Sequence, residues 1–69
     1  MQLNEFVKER RKQANLTQPE LAIKAGVGLR FLRDLEQGKE TLRLDKVNQV
    51  LQLFGHQVGP VPVTYNIIT

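Results

Sequence analysis

The 22 residues from Thr17 to Gly38 leave this chain little choice of architecture. Thr17 is a strong helix N-cap, and Glu20, three residues on, completes a capping box. Pro19 falls in the first turn, where its missing N–H costs nothing. Leu21, Ala22 and Ala25 supply an apolar face, and Gly26 ends the helix. Residues 29–37 predict another helix, with Leu32 and Leu35 facing inward, Phe31 on the flank and Gly38 as the stop. Helices this short are marginal in water by themselves, so the two must pack on each other. Gly26-Val27-Gly28 is all that joins them. Gly26 permits the positive φ that such a turn requires. Small Ala22 suits a close crossing, and Val27 plugs the space between the helices.

The flanks supply the rest of a core. Leu3, Phe6, Val7 and Ala14 form one stripe of a helix over 3–14, which Asn15 ends through a left-handed cap. A further helix spans about 43–54, with Leu44, Val47, Leu51 and Phe54 on its stripe, Val50 widening it and Gly55 closing it. The period then changes. Val61, Val63, Tyr65 and Ile67 alternate with Pro62, Thr64 and Asn66, a strand pattern, and Val58 fits a shorter strand before Gly59-Pro60. Prolines confine such a strand to an edge. It has no partner within the chain, and an exposed apolar edge invites association. The expected division is therefore a helical domain over 1–55 and a strand or tail over 56–69.

Composition closes off several classes. There is no cysteine and only one histidine, His56, so neither disulfides nor a thiolate or multi-histidine metal site is expected, and no cofactor. Gly26-Val27-Gly28 contains GxG but lacks the strand and third glycine of a nucleotide loop. No cleft chemistry is visible, so an enzyme is not expected. No apolar run approaches a membrane span and no signal-peptide pattern opens the chain. A cytoplasmic protein is the expectation. The net charge of +3 points weakly to a polyanionic partner. All charged residues lie between Glu5 and Lys46, so the last 23 residues carry none.

Two short helices around a Gly-containing turn are the helix-turn-helix pattern, in which the second helix enters the DNA major groove. Leu16-Thr17-Gln18, Glu20-Leu21-Ala22, Ala25-Gly26-Val27, Leu32 and Asp34 to Lys39 together resemble the phage-repressor and Cro class, the XRE family, over residues 3–55. Arg10-Arg11-Lys12, Arg30-Phe31 and Asp34 to Lys39 further resemble the short HipB-type antitoxins. The resemblance implies a mainly α fold: a four- to five-helix phage-repressor-like helix-turn-helix domain (unit about 17–37) with a C-terminal β-strand that pairs across a dimer. It implies a sequence-specific repressor of double-stranded DNA, homodimeric on a palindromic operator. It also implies the antitoxin of a HipBA-type module, neutralising a HipA-like serine/threonine kinase toxin. A stand-alone phage or restriction–modification controller repressor, or an interaction domain that kept only the fold, are the alternatives.

Residue roles follow from the resemblance and the chemistry together. Gln18 is expected to bond a phosphate at a helix N-terminus, with Thr17 as the cap. Arg30 and Arg33 share a helix face and suit guanine or phosphate. Leu29 suits a thymine methyl. Gly28 either caps the helix or lets a phosphate approach. Gln37, Lys39 and Arg43, with Lys46, extend a phosphate row. The run Lys8–Lys12 is either a steering patch or a solvated face, with Arg10 its one candidate contact. Arg11 and Glu36 are expected to form a buried ion pair tying the first and third helices. Val58, Val61, Val63, Tyr65 and Ile67 are the expected dimerisation residues, and Asn66 to Thr69 either fray or touch a toxin. His56 is expected at a surface or interface.

Overall fold

The computed structural model describes residues 2–61. Among the described residues four helices follow one another: α1 (Leu3–Gln13), α2 (Gln18–Ala25), α3 (Leu29–Glu36) and α4 (Leu44–Gln52). α3 packs against α1 and α2, and α2 also packs against α4. The core is made of Val7 from α1, Leu21, Ala22 and Ala25 from α2, Leu32 and Leu35 from α3, and Val47, Val50 and Leu51 from α4. No helix is long and apolar enough to cross a membrane among the described residues.

All four helices stop the same way. A residue with positive φ follows each: Asn15, Gly26, Gly38 and Gly55. The next N–H then reaches back to a carbonyl five residues earlier: Leu16 to Arg11, Val27 to Ala22, Lys39 to Asp34 and His56 to Leu51, each at 3.0–3.1 Å. These bonds satisfy carbonyls that a helix C-terminus leaves open. At Gly26, φ is +73°, and the side-chain amide of Gln49 on α4 adds two donations, to the carbonyls of Ala25 at 3.2 Å and Gly26 at 3.4 Å. The inter-helix turn is thus clamped from outside the two helices it joins.

Two expectations need correction. Ala14 is exposed, because α1 ends at Gln13, and Leu16 from the turn packs on the core instead. Leu44 is 57% exposed although it shares the periodicity of Val47 and Leu51. It opens α4, where the buried stripe has yet to start, and Leu42 from the preceding loop covers the core there. In both places a loop residue takes the position that helix periodicity assigned to a helix end. No strand occurs among the described residues: Val58 and Val61 lie in irregular chain. The Val58 N–H donates to Asn48 Oδ1 at 2.8 Å. Val63, Tyr65 and Ile67 lie outside the described residues.

Candidate nucleic-acid interface

The start of α2 is built by its cap. Thr17 Oγ1 accepts from the Glu20 N–H at 3.2 Å, and Glu20 Oε1 accepts from the Thr17 N–H at 2.8 Å. The Thr17 backbone N–H, and then its hydroxyl, hold the Glu20 carboxyl below its ordinary range. The same turn presents Gln18, whose side chain faces inward more than its expected role required. Gln18 Nε2 donates to Glu36 Oε1 at 3.0 Å. One N–H and the carbonyl oxygen of that amide stay available to a ligand.

Glu36 is 2% exposed and is the only buried charged residue among those described. Arg11 Nε donates to its Oε2 at 2.7 Å and Arg11 Nη2 to its Oε1 at 3.0 Å, a bidentate pair. Arg11 Nη1 donates to the Leu16 carbonyl at 3.0 Å. The pair therefore joins α1 to α3, as the family resemblance implied, and Gln18 adds α2. No buried side-chain polar atom among the described residues lacks a partner. A fully bonded network of this kind sets the orientation of α3 against the two helices that carry it.

α3 turns Leu32, Leu35 and Glu36 inward and leaves Arg30, Arg33 and Asp34 on the outer face. Leu29 is half-buried, and Gly28 is the N-cap, with no atom within 4 Å of where a Cβ would stand. Arg30 is 89% exposed, and its Nε lies 3.5 Å from Asp34 Oδ1. Lys39 Nζ lies 3.6 Å from Asp34 Oδ2. Arg33 is exposed and has no acidic partner among the described residues. Gln37 is the exposed C-cap of α3. Arg43, the N-cap of α4, folds back on Asp45 in a bidentate pair of 2.7 and 3.2 Å. That hydrogen bonding holds the Asp45 carboxyl below its ordinary range.

Sequence reasoning placed the basic residues but passed over their acidic partners Asp34 and Asp45. The i,i+4 spacing of Arg30 and Asp34 was the available signal. It also passed over the packing of His56, whose ring meets Phe6 edge-on with centroids 4.8 Å apart. Arg10 lies over the same Phe6 ring at 5.2 Å. Among the described residues no group of three or more metal-ligating side chains gathers.

Two short helices about a clamped three-residue turn, with a basic outer face on the second, define a helix-turn-helix domain. The family model described as a helix-turn-helix domain matches residues 2–61, and the chain belongs to that family. It is 62% identical over 45 residues to y4mF of Sinorhizobium fredii, named as an uncharacterized HTH-type transcriptional regulator. The match covers 65% of this chain and 59% of that relative's length.

Proposed function

We propose that this chain is a sequence-specific DNA-binding transcriptional regulator that acts as a repressor from the cytoplasm and, when bound, on the nucleoid. The observation that carries the reading is the outer face of α3. Arg30 and Arg33 stand clear of the core there, on a helix anchored through Glu36 to both α1 and α2. Arginine reads guanine in the major groove through two parallel bonds. Around this face Gln18, Gln37, Lys39 and Arg43 supply donors suited to phosphates, which set register on the duplex. The similarity to a regulator of the same domain family supports the same reading. Selection of duplexes from a randomised pool by the full-length protein tests it. A consensus with two half-sites about one helical turn apart is expected, and recovery of no consensus overturns sequence-specific binding.

The dimer belongs to the same proposal. Leu3 and Phe6 of α1, Leu51 of α4 and Val58 and Val61 line a mainly apolar groove of about 410 Å³. No residue of α2 or α3 lines it, so a partner docked there leaves the α3 face open. Val61 is 76% exposed on this groove. In sedimentation, Val61→Asp is expected to shift the protein toward monomer, and an unchanged dimer constant overturns this interface.

The finer role is that of a HipBA-type antitoxin that also silences its own operon, which rests on the resemblance of Arg10 to Lys12, Arg30-Phe31 and Asp34 to Lys39 to the HipB-type proteins. Its test is co-purification with a serine/threonine kinase encoded beside it, and a neighbouring frame without such a kinase overturns it.

A further inference from the structure

We propose that Asp34 is a specificity-determining residue, whose carboxylate restrains Arg30 and Lys39 from indiscriminate phosphate contact. The inference rests on the DNA-binding reading of α3.

Helix stability does not account for Asp34. It lies in the last turn of α3, where the helix dipole opposes a negative charge. An Arg placed before an Asp at i,i+4 is also the weaker order for such a pair. What the residue does is gather cations. Its two oxygens lie 3.5 Å from Arg30 Nε and 3.6 Å from Lys39 Nζ. The end of the helix brings Lys39 there: Gly38 turns the chain with φ +87°, and the Lys39 N–H donates to the Asp34 carbonyl at 3.0 Å. One residue thus holds Lys39 through both backbone and side chain.

The consequence is electrostatic. Binding to arbitrary DNA comes from cations neutralising phosphates. If Arg30 and Lys39 move to phosphates, Asp34 is left unpaired beside a polyanion. A guanine edge gives Arg30 two acceptors in return, and a random site does not. Asp34 therefore weakens wrong sequences more than the right one, leaving Arg33 as the α3 cation with no such restraint.

The test uses the full-length chain, the duplex it selects from a randomised pool, and poly(dI-dC) as the non-specific probe. Asp34→Asn is expected to tighten poly(dI-dC) binding about two- to thirtyfold, the range two exposed ion pairs span. It is expected to tighten the selected duplex less, so the ratio of the two affinities falls. Its salt dependence on poly(dI-dC) steepens by up to about two units of slope, for up to two added phosphate contacts. Glu5→Gln makes the same charge change on the opposite face of α1 from buried Val7 and is expected to leave the ratio unchanged. Asp34→Glu, which keeps the charge, is expected to retain most of the discrimination. A ratio unaltered by Asp34→Asn, or altered equally by Glu5→Gln, overturns the inference while DNA binding stands. A wild-type protein that binds neither probe overturns the DNA-binding reading and this inference with it.

Discussion

Glu36→Ala tests how the interface is supported. The substitution removes the acceptor of three hydrogen bonds, two from Arg11 and one from Gln18. The Arg11 side chain is 14% exposed, so it cannot simply turn to water. It keeps only the Leu16 carbonyl as an acceptor. Removing one partner of a buried pair costs about 3–5 kcal/mol, mostly because the other charge stays buried. Gln18 adds little to that, because its half-exposed amide can find water. A domain of this length has a total stability of roughly 3–10 kcal/mol, at the usual value per residue. Glu36→Ala is therefore expected to remove much of it. Urea unfolding followed by far-UV circular dichroism measures the loss as a lower midpoint with an unchanged slope. Replacing both partners, Arg11→Met with Glu36→Leu, leaves no buried charge and is expected to recover most of the loss. A loss below about 1 kcal/mol, the range of an exposed pair, refutes the argument. So does a double variant no more stable than Glu36→Ala.

Two further outcomes follow from the same geometry. Arg33→Ala is expected to weaken the selected duplex by about 1–3 kcal/mol and relax the preference at one base pair, whereas Gln18→Ala weakens all sequences alike; unchanged affinity in both moves the interface elsewhere, and mobility-shift titration decides. The lowered Glu20 carboxyl makes the α2 cap pH-dependent. Its stabilisation is present above the ordinary value near 4.5 and is lost as pH falls through the lower folded-state value. Urea midpoints are expected to fall more steeply on acidification in the wild type than in Glu20→Gln, and parallel profiles would refute the coupling.

Much of the fold was legible locally. The Thr17–Glu20 cap, the stops at Asn15, Gly26, Gly38 and Gly55, and the inward faces of α2 and α3 all depend on residues within one turn of each other. The Arg11–Glu36 pair spans 25 residues, yet the family resemblance indicated it before the geometry did. Ala14 and Leu44 were misplaced because periodicity says nothing about where a helix meets a loop that can do the packing itself. The alternation through Val58 and Val61 meets no strand among the described residues. Alternation records which side chains are apolar, whereas a strand needs a second backbone alongside, and the partner expected for this one is a second copy of the chain.

The candidate interface divides along the same line. Where the basic residues sit on α3 is a matter of helical spacing, and residues 29–37 alone sufficed to place Arg30 and Arg33 outward. The Arg30–Asp34 pair lies within reach of the same spacing, whereas the contacts that hold the helices and their turns in place arose only when helix ends were folded against one another. Gly38 swings Lys39 onto Asp34, α1 delivers Arg11 to Glu36, and α4 delivers Gln49 to the turn at Gly26. Capping and periodicity act over a few residues and can be read along the chain. The pairing of Arg11 with Glu36 spans 25 residues and depends on distance in space, which only the packed helices determine.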